Sequence, residues 1–335
     1  MIHSFQFRIE HPDAGRRLDE FFAARFGGLS RMRIASLIEA GVCFVNGAVA
    51  RAGYRVIVGD TVDVSLDDAA PTSMSPERIP LEVIYEDEHL VVVVKPAGIL
   101  VHPTMSVKTG TLANALAYHL NKSRIEDGVW MLDSRSSIPD PQPVIRPGLV
   151  HRLDRATSGL IVIAKTPRAL AVLSRHFRKR LVEKRYLSLV SGVVEQDAGS
   201  INAPIGRDPD QRPHWRVMDG GRHAETKFRV LERLARASLL ELEPVTGRTN
   251  QLRIHCAGVG HPIIGDEMYG MSNSESDPQV ETVARPSRIL GLESGRLCLH
   301  ASSLAFHHPV GGDWMQFVSS LPDEFKRIVD QNREE

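Results

Sequence analysis

Hydrophobic positions along the chain change period several times, and the changes mark out its elements. Leu18, Phe21, Phe22 and Phe26 recur at helical spacing. Ile34, Leu37 and Ile38 repeat that spacing after an interrupting GGLS, in which Ser30 is placed to cap a second helix. Gly41 is suited to end it. VCFVNGAVA then reads as a strand turning at Asn46-Gly47, and YRVIVGDTVDVSL as further strands around Gly59-Asp60. At 66–80, LDDAAPTSMSPERIP breaks the pattern with Pro, Ser and Asp and reads as a linker.

Beyond it, LEVIYEDEHLVVVVKPAG suggests two strands around an acidic turn, and TLANALAYHL a helix. Leu160 to Ala164 is a short apolar β-type run, followed by a helix from PRALAVLSRHFRKRLVEK with Pro167 in its favoured first turn. RYLSLVSGVV, TKFRVLERL and SLLELEPV supply strands, and the C-terminal stretch a hairpin at Gly311-Gly312 with a final helix. The stretches 121–146 and 271–287 lack periodicity and are expected as loops. Strands and helices do not alternate regularly, so the expected class is α+β, with a mixed, largely antiparallel sheet flanked by helices and preceded by a small α/β module. The expected division is 1–70, a linker at 71–80 and a larger domain at 81–330.

Composition adds limits. The 335 residues are 42% hydrophobic and 24% charged, ordinary for a globular chain of about two domains. The start has no basic-then-apolar leader and no apolar run could span a bilayer, so a cytoplasmic location without membrane attachment is expected. Cys43, Cys256 and Cys298 lie too far apart to suggest a disulfide framework or a zinc cluster. The net charge of +0 advertises no polyanion, but RRLDEFFAARFGGLSRMR and RHFRKRLVEKR are locally basic. A solvated helical face explains either run equally well. No phosphate-binding glycine loop occurs, and the TSG at 157–159 is not the elbow of a serine hydrolase.

Two resemblances carry the reading further. RRLDEFF, LSRMRIASLIEAGVCFVNGAVARAGYRVIVGDTVDV resembles the ribosomal-protein-S4-like RNA-binding domain. By position, that likeness implies RNA contacts at Arg31, Arg33 and Asn46; the plainer reading is a small module with a solvated basic edge. Arginines at a helix start suit phosphates.

The second begins from GLVHRLDRATSGLIVIAKT, where Asp154 stands among His151, Arg152 and Arg155 beside the apolar run. Charge so placed is costly to desolvate unless paired. A carboxylate held near Arg is expected to stay ionised at low pKa, available as a nucleophile or as a stabiliser of a sugar cation at C1′. The motif, with VVKPAGILVHP, EKRYLSLVSG, TGRTNQLRIH, GHPIIGDEMYG and LHASSLAFHHP in order, resembles the Rlu-type pseudouridine synthases, which isomerise uridine in RNA. The likeness implies that Asp154 acts at C1′, that Arg253 is its ion-pair partner and that Tyr186 stacks on the uracil and assists at C5. It implies that Arg152 enters the RNA stack and that Lys165 neutralises a phosphate; Arg152 could equally be a second partner for Asp154, and Tyr186 a core tyrosine. Asn250 stands where the family commonly has His, and Ala156 where it has an acid, which points to altered RNA contacts at Asn250. No cofactor or metal is implied, and a monomer acting on RNA is expected. Large-subunit ribosomal RNA is the expected target, with transfer RNA second; a silent RNA-binding or ribosome-assembly factor and a nucleoside glycosidase are the competing readings.

Overall fold

The computed structural model describes residues 2–26, 31–51, 53–67, 75–104, 106–126, 145–209, 214–270 and 295–334. They fall into two compact units, Met1–Leu81 with Leu100–Leu149, and Glu82–Ile99 with Val150–Glu335. Ser30, the 271–287 stretch and the bulk of the expected loop after Asn121 lie outside the described residues.

The first unit opens with β1 (Ile2–Arg8), α1 (Leu18–Arg25), α2 (Arg31–Glu39), β2 (Cys43–Val45), β3 (Ala48–Val49) and β4 (Thr61–Asp67). The strands make an antiparallel sheet in the order β1-β4-β2-β3. Leu18, Phe21 and Phe22 of α1 and Ile34 and Ile38 of α2 are buried with Phe5, Phe7, Val62 and Val64 in one core. Burying such apolar side chains is worth about 1.5–3 kcal/mol each, so the helical spacing of the phenylalanines is what docks α1 on the sheet. Asn46 and Gly47 both take positive φ (52° and 80°), which is the requirement of a two-residue hairpin turn.

Residues 54–60, expected to add strands, instead fold around the Asp60 carboxylate. It accepts hydrogen bonds from the Asn46 amide and the Tyr54 hydroxyl at 2.8 Å and from the Ile57 N–H at 2.9 Å. Burial alone would raise this carboxyl; the three donors outweigh it and hold it below the ordinary aspartate range. A side-chain acceptor has taken the place of a ladder. Further on come α3 (Leu112–Leu120), whose Asn114 N–H donates to the Thr111 hydroxyl at 3.4 Å, then α4 (Lys122–Glu126) and β7 (Gly148–Leu149). The expected loop after Asn121 thus begins with a helix. Asn121 clips its far end by exchanging two 2.8 Å hydrogen bonds with the backbone of Ile145.

The second unit contains β5 (Glu82–Glu86), β6 (Leu90–Lys95), β8 (Ser158–Ala164), α5 (Pro167–Arg178), β9 (Glu183–Ser191), β10 (Ala198–Asn202), β11 (Ile205–Arg207) and β12 (Trp215–Val217). After these come β13 (Glu225–Arg233), β14 (Ala237–Pro244), α6 (Gln251–Gly258), β15 (Leu299–His307), β16 (Trp314–Val318) and α7 (Asp323–Glu334). The sheet runs β10-β13-β14-β9-β15-β8-β6-β5, with β16 also on β15 and β11-β12 as a separate hairpin. Among the described residues β8 pairs parallel with β15, while β10-β13, β13-β14, β14-β9, β9-β15, β15-β16, β8-β6 and β6-β5 are antiparallel, giving the expected mixed class. Every residue of β8 is buried, so it reads as an uninterrupted apolar run rather than an alternation.

Gly159 of the TSG lies at φ 119°, and a Cβ there would stand 2.3 Å from the Ala301 carbonyl oxygen. The close approach of β15 is the reason for a glycine at that place. α5 ends at Arg178, short of the expected span. The Leu181 N–H reaches back to the His176 carbonyl, and the Arg180 N–H to that of Phe177, with Arg180 at φ 59°. This is the two-bond helix stop that normally uses glycine at its left-handed position.

Candidate active site

The 150–157 segment leads directly into β8. Leu153 is buried at 5% exposure and shares a cleft-lining face with Arg152 and Asp154. That face is one wall of a cleft of about 530 Å³. Its lining also takes in the turn between β14 and α6, Tyr186 of β9 and Leu299 of β15.

The TGRTNQ turn is rigid because Gln251, 4% exposed, spends all of its amide on it. Its oxygen accepts from the Thr246 hydroxyl at 2.7 Å and the Arg248 N–H at 3.0 Å. Its nitrogen donates to the Glu225 carbonyl at 2.9 Å and the Thr226 hydroxyl at 3.0 Å. Asn250 follows the same turn in the left-handed conformation, φ 53°, just before α6. A carboxylate offers only acceptors, so the Asn250 amide is oriented with its nitrogen donating to Asp154 Oδ2 at 3.0 Å and its oxygen accepting from the Tyr269 hydroxyl at 3.1 Å.

Arg253, one turn into α6, brings its Nη1 to 3.8 Å from Asp154 Oδ2. The distant pairing expected from the sequence is present, but it is the weaker of two. Arg253 gives its Nε and Nη2 to the two oxygens of Asp266 at 2.7 and 2.6 Å, a bidentate clamp. The Tyr269 ring lies 5.1 Å from the guanidinium carbon. Burial works against the Arg253 charge, and the Asp266 hydrogen bond and charge restore it.

The expectation of a low Asp154 pKa is therefore corrected. Burial raises the carboxyl above the ordinary aspartate range, aided by the like charge of Asp266; Arg253, Arg152 and Lys95 pull the other way without overcoming it. Burial is the first cause, and Arg253, whose two-bond pair is with Asp266, does not offset it. Tyr186 is half-buried, packs against the core of this unit and also lines the cleft. Burial first, and then the Asp154 charge, push its hydroxyl up, and it stays protonated at neutral pH.

His151 turns out to be a support. Its Nε2 accepts from the Val162 N–H at 3.0 Å, its ring stacks on Phe177, and burial lowers it to about 3. Beneath the loop, Lys95 is fully buried and donates to the carbonyls of Pro96, Ile99 and Arg155 at 2.8 to 3.1 Å. Burial brings it down to about 7. Neither Lys95 nor Asp266 was singled out in the sequence. The GDEMYG around Asp266 reads as a turn, and only its place in the ordered set of motifs hinted at more.

Two residues expected to contact RNA are engaged within the protein. Lys165 does not line the cleft; its ammonium is held by Glu86 at 2.7 Å and the Asp87 carbonyl at 2.6 Å. Asn46 spends its nitrogen on Asp60 and its oxygen on the Thr61 N–H, fixing its own hairpin. Arg31 and Arg33 open α2, but their side chains lie outside the described residues. The basic run after Pro167 supplies Arg178, Arg180 and Lys184 to the cleft wall, beside Arg152 and Arg248. Among the described residues no carboxylate pairs with Arg178 or Arg180. The cleft thus offers one partly desolvated carboxylate in a ring of cations, a shape and charge suited to a polyanion with a reactive carbon. Among the described residues no three His, Cys, Asp or Glu side chains are grouped to hold a metal ion, and no helix is long and apolar enough to cross a membrane.

Comparison with known proteins bears on the same region. A family model described as RNA pseudouridylate synthase matches residues 89–258. An uncharacterized RNA pseudouridine synthase of Aquifex aeolicus is 37% identical over 96% of this chain and 95% of its own. The ribosomal large subunit pseudouridine synthase D of Nitrosomonas europaea is 36% identical, covering 95% and 85%. Among solved structures, human RNA pseudouridylate synthase domain containing 4 superposes with a TM-score of 0.55 at 27% identity, over 75% of this chain and 93% of its own.

Proposed function

Because the chain belongs to the RNA pseudouridylate synthase family, isomerases that act on RNA, we propose that it converts uridine to pseudouridine in large-subunit ribosomal RNA with Asp154 as the acting carboxylate. The observation that carries the residue assignment is the placement of Asp154, facing Arg253 and Asn250 in a cleft whose wall also holds Tyr186 and unpaired arginines. The ribosomal target rests on the likeness to large-subunit enzymes such as that of Nitrosomonas europaea.

The residues divide the work as follows. Asp154 attacks or assists at C1′ as the glycosidic bond opens, and the uracil leaves with the bonding electrons. It turns, rejoins C1′ through C5, and the C5 proton is lost while N1 takes one up, so substrate and product are isomers. Tyr186, a neutral phenol here, suits stacking and hydrogen bonding to the turning ring better than service as a preformed base. Arg152, exposed at the rim, fills the gap left by the flipped nucleotide; flipping costs a few kcal/mol, which a stacked guanidinium offsets in part. Arg178, Arg180 and Lys184 meet the flanking phosphates. The N-terminal module, with Arg31 and Arg33 at the start of α2, belongs to the same proposal as an RNA-binding domain at 1–70, joined by a linker at 71–80 to a catalytic domain at 81–330. A cytoplasmic monomer completes it.

The test uses large-subunit ribosomal RNA transcripts carrying tritium at uridine C5. The wild-type protein is expected to release tritium, and Asp154→Asn to release none while binding the transcript within about threefold of wild type. An active Asp154→Asn variant overturns the role of that residue. Release from transfer RNA alone overturns the ribosomal target.

A further inference from the structure

Asp154 owes its position to two partners, and both are held by one short loop. The residues after α6 turn at Gly265 and place Asp266 and Tyr269 three apart. Asp266 is buried, clamps Arg253 through two bonds and also accepts the N–H groups of Met268 and Tyr269 at 3.0 Å. The loop is closed by the Gly270 N–H on the Asp266 carbonyl. Tyr269 lays its ring against the Arg253 guanidinium and its hydroxyl on the Asn250 amide oxygen. Arg253 and Asn250 both reach the Asp154 carboxylate.

The distances show what the loop prevents. Arg253 is a planar donor that prefers a two-bond carboxylate pair. It makes that pair with Asp266 and stands off from Asp154 at 3.8 Å. A carboxylate locked in a bidentate pair has both oxygens engaged and is a poor nucleophile. We propose that Asp266 and Tyr269 are positioning residues that tether Arg253 and Asn250, so that Asp154 is oriented by both yet closed into a full ion pair by neither.

This rests on Asp154 being the acting carboxylate, and the tests separate the two. The groups facing Asp154 are Arg253 on α6, Arg152 on its own segment, Asp266 on the loop, Lys95 on β6 and Tyr186 on β9. Asp266→Asn removes a like charge and loosens the clamp on Arg253. Both changes favour ionised Asp154, so its carboxyl must titrate at lower pH than in wild type.

The first readout needs no activity: titration of the Asp154 side-chain carboxyl by carbon NMR on aspartate-labelled protein, assigned by its loss in Asp154→Asn. The second is single-turnover tritium release from ribosomal RNA against pH. Asp266→Asn is expected to lower the neutral-pH rate at least tenfold, leave RNA affinity within twofold and move the acid limb of the profile downwards. Tyr269→Phe keeps the ring over Arg253 but removes the hydroxyl under Asn250. It is expected to slow the reaction severalfold with an unmoved thermal midpoint, and so serves if Asp266→Asn folds poorly. An unmoved Asp154 titration in folded Asp266→Asn overturns the proposal, as does a rate loss equal at every pH or a Tyr269→Phe variant as fast as wild type. A wild-type protein that releases no tritium while its Asp154 titration still shifts would instead sink the catalytic reading and leave the tether standing.

Discussion

Asp154 illustrates a residue kept at some expense to the fold. Its carboxyl is raised on folding above its unfolded value, chiefly by burial. Between those two values the folded chain binds more protons than the unfolded one, so stability falls as pH rises through that window and stays lower above it. Asp154→Asn has nearly the same shape and no charge to desolvate. It is expected to melt higher than wild type at pH 8, by about 2–4 °C for each kcal/mol regained. The gain must fade near pH 3, where the wild-type carboxyl is protonated. Calorimetry at both pH values checks this, and an equal or lower midpoint at pH 8 would mean that Arg253 and Asn250 compensate the charge more fully than the geometry indicates. The residue was legible in the sequence because charges crowd beside a buried run. The direction in which its pKa moves was not, since burial, the first cause, follows from packing that the motif alone does not display.

At the scale of elements, what the sequence showed well was whatever apolar spacing alone determines. The phenylalanines of α1, the uninterrupted β8 and the Asn46-Gly47 hairpin all follow from burial or from backbone sterics. Elements held by polar partners were hidden. α6 carries Gln251 and His255 on its buried side, satisfied by Thr226 and by backbone carbonyls, so QLRIHCAG shows no clear apolar stripe. The end of α5 was misjudged for the opposite reason: an arginine occupies the left-handed stop. A non-glycine residue there costs about 1 kcal/mol or more, and its side chain lines the cleft. Arg180→Gly should therefore stabilise the protein by about 1 kcal/mol in urea unfolding while weakening RNA binding. If Arg180 meets one phosphate, the slope of log affinity against log salt should fall by about 0.9. A stabilised variant with an unchanged slope would show that the arginine does not touch RNA.

For the whole molecule, the question is how chemistry and RNA selection are divided. All the residues that line the cleft belong to the second unit. The apolar cluster around Phe21 and Phe22 is built from residues between Phe5 and Val64 and so closes on itself. A core of that kind is what an autonomous module requires, and it makes removal of residues 1–70 a test of function more than of folding. The motifs of the two resemblances span the chain in order, but the unit boundaries were less visible, since residues 100–149 join the first unit across an intervening strand pair. If the module selects RNA and the cleft transforms it, the truncated protein should still release tritium from a short stem-loop carrying the target uridine. Its rate there should lie within about tenfold of the full chain, while its affinity for long ribosomal RNA falls much further and with a shallower salt slope, since the phosphate contacts of the module are gone. A folded truncation inactive on the stem-loop would place part of the catalytic requirement in residues 1–70, and one with undiminished affinity for long RNA would leave that module without a binding role.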